Sequence, residues 1–287
     1  MKQHTLGWIN GFIGVAIFSG TLPATRVAVQ QLPPLFVTSA RACIAALLGG
    51  LLLCLLKQTR PHAMQLRSLI LVSMGVVLGF PLFTSLALQH ASSAHMIVFV
   101  GLLPLSTALF AVWRGGERPK PLFWAFALVG AISVASYALL NSDGAPWYSD
   151  VLMLAAIVVC GMGYAEGAKL SRELGGWQVI SWALLLSLPV ILPLALWSWP
   201  SPIAPVHSNA WWSLAYVSVF SMLIGFVFWY QGLAQGGTAA VGQLQLLQPF
   251  MGLGLAALLL QEHIHPSMLV VTVVAVLCVA GAKRFAH

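Results

Sequence analysis

Ten apolar runs of helical length follow one another along the chain, near residues 7–28, 33–56, 67–88, 94–113, 121–141, 150–172, 177–198, 211–233, 240–260 and 266–283. Polar residues are mostly confined to the short stretches between them. About 20 apolar residues is the length a helix needs to cross the hydrocarbon of a bilayer. A lone strand there would leave its backbone polar groups unpaired, so each run is read as a helix. The pattern predicts an all-α polytopic membrane protein with ten transmembrane helices. The longest connection, Trp199 to Asn209, is proline-rich, and no connection is long enough for a separate soluble domain. The first run starts just behind Met1 and Lys2, as a signal peptide does, but nine more runs follow, so it is read as an uncleaved first helix.

Composition agrees. Of 287 residues, 60% are hydrophobic and 7% charged, whereas soluble domains carry about 25% charged residues. The formal charge of +7 lies in small groups between apolar runs. The continuous basic surface that a nucleic acid needs is not formed, and no nucleic-acid partner is expected. Cys43, Cys54, Cys160 and Cys278 each sit inside an apolar run and outside any CxxC pair, so they indicate neither zinc nor a disulfide framework.

The distribution of charge sets an orientation. With the N-terminus inside, eleven of thirteen Lys/Arg fall at inner ends and loops: Lys2, Lys57, Arg60, Arg67, Arg114, Arg118, Lys120, Lys169, Arg172, Lys283 and Arg284. The outer loops carry Asp143, Asp150 and Glu262 instead. Positive charge stays on the cytoplasmic side, which puts both termini there, in the cell (inner) membrane. Ten of the eleven tryptophans fall at span ends, where an indole anchors at the interface, and only Trp182 lies slightly deeper.

Displaced by 145 positions, the sequence aligns with itself. Phe83 meets Phe228, Ala94 meets Ala239, Pro104 meets Pro249, Glu117 meets Glu262 and Pro121 meets Pro266. A displacement of 143 brings Gly20 onto Gly163 and Arg26 onto Lys169. The chain therefore divides into two five-helix repeats, 1–143 and 144–287. Five is odd, so the second copy is expected to lie inverted relative to the first. Many secondary transporters have this architecture, with substrate bound near the midplane between the repeats.

Several segments carry a family resemblance in their order and spacing: IFSGTLPATRVA (17–28), LPPLFVTSARACIAALL (32–48), LALQHASSAHMIVFVGLLPLSTALF (86–110), GGERPKP (115–121) and QGLAQGGTAAVGQLQLLQPFMGLGLAALLLQEH (231–263). With these the chain resembles the drug/metabolite transporter superfamily, in its ten-helix EamA type, over essentially its whole length. The resemblance implies a transporter, often an exporter of amino acids or related metabolites. Gln248 stands where family members often have an acid before the proline of the ninth span, and Gln261 replaces a common glycine before Glu262.

Some residues are candidates for a pathway. Pro104 and Pro249 fall near the bilayer centre at related positions. Each removes a helical bond to the carbonyl four residues earlier, at Val100 and Gln245, which suits a pair of hinges. Arg41 lies roughly 12 Å inside the second span, where a cation costs about 2.5–3.5 kcal/mol to insert. It is bonded to carbonyls, snorkels outward, or captures an anionic group such as a substrate carboxylate. Gln245 and Gln248 share a face of the ninth span and are expected to line the cavity, with Tyr164 of the sixth span and, on the first, Phe18 and Ser19. Glu166 is the one carboxylate within a span. It either neutralises Lys169 at i,i+3 or exchanges protons with substrate. His90, His95, His263, His265 and Glu262 gather at the outer side. Their register with the Glu117–Pro121 segment speaks against a metal site, and no cofactor is expected.

The expected partners are a small-molecule metabolite and the lipid bilayer; oligomeric state is left open. Alternatives are export of lipophilic cations, which calls for a cavity carboxylate, and a membrane-embedded enzyme, which calls for converging acids, histidines or a nucleophile–base pair. The six acids are scattered.

Overall fold

The computed structural model describes residues 2–115, 120–140, 145–200, 206–237, 241–283 and 285. Glu117, Arg118, Asp143, Ala239 and Arg284 lie outside the described residues, as do the side chains of Lys2, Arg114, Gln243 and Lys283. All regular structure among the described residues is helical. Seven stretches are long and apolar enough to cross a membrane: Thr5–Val29, Pro34–Leu55, Ala63–His90, Ser93–Trp113, Trp147–Leu174, Gly176–Trp197 and Ser208–Gly236. Apolar helices at Pro121–Leu140, Gln248–Leu260 and Pro266–Lys283 occupy the places of the expected fifth, ninth and tenth spans.

Four of the long stretches are broken. Lys2–Ser19 gives way at Gly20 to Thr21–Val29. Ser93–Val100 is separated from Leu103–Gly115 by a turn at Gly101 and Leu102. Two others contain π-helical segments, Ser73–Gly79 and Val217–Ile224. The Phe80 N–H bonds the Gly75 carbonyl and the Gly225 N–H bonds the Phe220 carbonyl, the five-residue spacing of a π-helix. The 145-residue displacement carries each of these bonds onto the other. The repeat is therefore legible in backbone geometry as well as in side chains.

Helix pairing is reciprocal in the same sense. Pro34–Leu55 packs along Gly176–Trp197, and Pro121–Leu140 along Pro266–Lys283. Lys2–Ser19 packs on Gly225–Gly236, as Trp147–Leu174 packs on Phe80–His90 and the Ser73–Gly79 segment. Small residues make these approaches close. A Cβ added at Gly7 would lie 2.6 Å from the Gly236 nitrogen, and one at Gly75 would lie 2.5 Å from the Val159 carbonyl oxygen. The Gly75/Gly79, Gly163/Gly167 and Gly232/Gly236 spacings thus serve packing within this chain.

Two expectations are corrected by the packing. Pro104 and Pro249 do not kink continuous helices. Pro104 is the second residue of Leu103–Gly115, and Pro249 the second of Gln248–Leu260, which follows a 3-10 segment at Gly242–Leu247. A proline in the first helical turn loses no bond that the helix would have made. The Gln245 carbonyl is taken by the Gln248 N–H in the tighter i,i+3 pattern. Trp229, expected at the interface, is fully buried against Phe18 and Tyr164, while Trp113, Trp147, Trp197 and Trp212 are exposed as anchors should be.

A carboxylate fixes one end of the bundle. Glu262 accepts from the Ser93 N–H at 3.0 Å, the Ser93 hydroxyl at 2.8 Å and the Ala94 N–H at 2.7 Å. It thereby caps the Ser93–Val100 helix from the link between the last two helices, satisfying N–H groups that a helix start leaves orphaned.

Four substitutions are expected to separate by thermal unfolding of the purified protein in detergent. Gly167→Ala places a Cβ 2.2 Å from the ring of Tyr230, which is fully buried, and should destabilise by about 1–3 kcal/mol. Gly254→Ala, with nothing within 4 Å, should leave the midpoint unchanged or raised. Glu262→Ala should lower the midpoint by the equivalent of about 1–2 kcal/mol, and substitution of its exposed neighbour His263 by Ala should not.

Candidate functional site

The broken helices meet around a central cavity. It is lined by Phe18, Thr21 and Leu22 from the first stretch, Arg41 from the second, and Val76 and Phe80 from the third. Leu103, Tyr164, Ser221, Phe226 and Gln248 complete the lining. Under the repeat displacement Val76 corresponds to Ser221 and Leu103 to Gln248, and Thr21 corresponds to Tyr164 at 143. Related backbone positions therefore face one cavity, and at each pair the two copies differ in polarity. The cavity is about 20 Å³, room for about one water. The cavity is closed to anything larger.

Arg41 is the charged group of this lining. It is 1% exposed. Its Nη2 donates to the Ser221 hydroxyl at 3.1 Å, and Ser221 shares a 2.8 Å bond with the Thr21 hydroxyl. Nε and Nη1 have no hydrogen-bond partner. A buried donor without a partner costs about 1–3 kcal/mol, more when charged. Snorkelling and capture by carbonyls, both open from the sequence, are not what the side chain does. It bridges three helices through hydroxyls and keeps donors in reserve beside the cavity.

Gln248 lines the same cavity, with Nε2 3.5 Å from the Phe18 carbonyl and Oε1 unpartnered. An aromatic group closes one side: Phe18 and Phe226 have ring centroids 5.0 Å apart, Tyr164 and Phe226 5.9 Å, and Tyr164 and Trp229 5.6 Å. These are the separations of edge-on and offset aromatic pairs. The lining combines polar groups, Arg41, Ser221, Thr21 and Gln248, with the rings of Phe18, Phe80, Tyr164 and Phe226.

Four of the residues expected from sequence, Phe18, Arg41, Tyr164 and Gln248, are brought together here. Ser19 is buried outside the lining, its hydroxyl turned back on the Val15 carbonyl at 2.8 Å. Gln245 is buried outside the lining, and neither atom of its amide has a partner. Glu166 is 2% exposed and outside the lining, while Lys169 of the expected pair is exposed. Thr21, Ser221 and Phe226 were missed. Serine and threonine are common in helices, and only the 145 displacement, applied at Val76, singles out Ser221.

The His and acid residues of the other end take separate roles. His95 is fully buried, with Nε2 2.9 Å from the Asp150 carboxylate, and Glu262 is committed to its cap. With His90, His263, His265 and Arg26, they border a polar pocket of about 310 Å³.

Comparison with known proteins follows from this geometry. The sequence pattern of the EamA-like transporter family matches residues 5–139 and again 147–282. The chain is 60% identical over 286 residues to the uncharacterized transporter YdeK of Bacillus subtilis (strain 168), covering 100% of both. It is 21% identical over 278 residues to the uncharacterized transporter YvbV of the same organism, covering 92% of this chain and 88% of that one. An uncharacterized transporter of Archaeoglobus fulgidus is 20% identical over 236 residues, 81% of this chain and 82% of its own. A solved crystal structure superposes with a TM-score of 0.71 at 20% identity, over 99% of this chain and 98% of that one, a likeness of fold alone. An all-helical chain with seven stretches fit to span a bilayer and a family pattern matched twice, it belongs to the EamA-like transporter family: an integral, multi-pass membrane transporter and not an enzyme.

Proposed function

We propose that the chain is a secondary transporter that exports small amino-acid-like metabolites across the cell (inner) membrane by alternating access. On this reading ten spans form two inverted five-helix repeats, 1–143 and 144–287, with both termini cytoplasmic. The reciprocal helix pairing, the matched π segments and the bias of Lys/Arg support it. The repeats rock about the central cavity, and Pro104 and Pro249, each starting a helix after a break, are its hinges. Export is taken from the family resemblance.

The observation that carries the reading is Arg41, a buried cation at the cavity with donors left unpartnered. A substrate carboxylate arriving there turns an uncompensated buried charge into a charge-assisted pair. Ser221 and Thr21 hold the guanidinium while the cavity is closed, and Gln248 offers a neutral amide to a second polar group. A lipophilic cation needs the opposite charge, and no carboxylate lines this cavity among the described residues.

The test compares metabolites excreted by cells with and without the protein, then repeats the leading difference in proteoliposomes. Arg41→Ala and Arg41→Lys, at equal membrane abundance, should each lower the rate at least about tenfold, because a point-charge ammonium does not reproduce the guanidinium's planar array of donors. Unchanged export by both variants, or resistance to cationic dyes as the sole phenotype, would overturn the assignment.

A further inference from the structure

The polar pocket at the Glu262 end lies apart from the substrate cavity, and one of its residues is placed to bind a proton. His95 belongs to Ser93–Val100, an eight-residue helix in which every residue is buried. Its ring is 0% exposed, with Nε2 2.9 Å from the Asp150 Oδ1 and Nδ1 without a partner. Asp150 sits in the first turn of Trp147–Leu174 with its side chain 17% exposed. The pair therefore ties a buried helix of the first repeat to the first helix of the second, beside a pocket of about 310 Å³.

The other ionisable groups around the helix hold different positions. Arg26, from Thr21–Val29, is committed to the Leu88 carbonyl. Glu262 is committed to the helix start. His263 and His265 are exposed on the same link, and His90 is exposed at the end of Phe80–His90, against the Tyr148 ring. Protonating an exposed imidazole changes little in the fold. Tyr137 packs its ring on His95 at 5.3 Å. Of the four histidines here, only His95 is buried, bonded to a carboxylate, and left with a nitrogen lacking a partner.

We propose that His95, paired with Asp150, is the proton-binding site that couples transport to a proton gradient. The inference rests on the transport reading above. In the closed form a neutral His95 donates from Nε2 to the Asp150 carboxylate. A proton entering from the polar pocket adds to the Nδ1 lone pair, breaking no other bond, and gives an imidazolium beside a carboxylate. The imidazolium and the carboxylate form a charge-assisted pair, which tightens the side-on tie of Ser93–Val100 to Trp147–Leu174; departure of the proton loosens it. Glu262 keeps the helix start anchored, so the movement falls on the far end. There the turn at Gly101 and Leu102 leads directly to Leu103 at the substrate cavity. Loss of the proton to the opposite side resets the pair.

The test is amide hydrogen exchange of the full chain purified in detergent, at about pH 8 and about pH 5.5, bracketing the ordinary histidine value near 6.5. Rates are corrected for the intrinsic pH dependence of exchange. Amides of Ser93–Val100 should exchange about tenfold slower at the lower pH, because the charge-assisted pair holds the helix more firmly. His95→Gln, which keeps an N–H for Asp150, should abolish the difference. Asp150→Asn, which removes the charge that pairs with the imidazolium, should abolish the difference as well; this variant decides the matter if His95→Gln does not fold. Glu166→Gln should leave the response intact. A flat wild-type profile, a response retained in His95→Gln, or a response lost in Glu166→Gln would overturn the proposal. No substrate is needed, so a flat profile leaves the Arg41 reading standing, and failure to find an exported metabolite leaves the exchange result standing.

Discussion

A guanidinium inside a membrane protein must be solvated by the protein, because lipid cannot do it. Arg41 meets that demand through a serine on a helix far along the chain, which in turn meets a threonine on the first stretch. Three helices that apolar packing alone could hold in several rotations are thereby keyed at one level. The solution is incomplete, since two of the guanidinium nitrogens have no partner. A buried cation left partly unsatisfied makes a close-packed centre receptive to an anion, and the organisation of the cavity follows from it.

The duplicated fold makes such a site possible. Two π-helical segments in register, two glycine-lined helix pairs and two prolines at helix starts put related backbone positions around one cavity. Duplication supplies equivalence of place, and divergence supplies difference of chemistry. Val76 corresponds to Ser221, Leu103 to Gln248 and Thr21 to Tyr164, and all six line the cavity.

One end of the bundle is tied by polar contacts of a few residues. Glu262 on Ser93 and Ala94, and His95 on Asp150, are short-range and directional. Such contacts can be made and broken without disturbing the glycine-packed helix pairs.

The chain's one-dimensional properties were enough to place the apolar stretches and to single out Arg41, Gln248, Tyr164 and Phe18, because apolarity and charge are read residue by residue. They also suggested an interfacial Trp229, and that expectation failed because it depended on which way a helix is turned: Trp229 faces in. Only the tertiary structure decided that Arg41 meets Ser221, 180 residues away, and that His95 meets Asp150, 55 residues away. In a chain apolar on nearly every helix face, the pattern carries little information about rotation. The partner of each buried polar group is settled by helix packing, which the order of residues does not display.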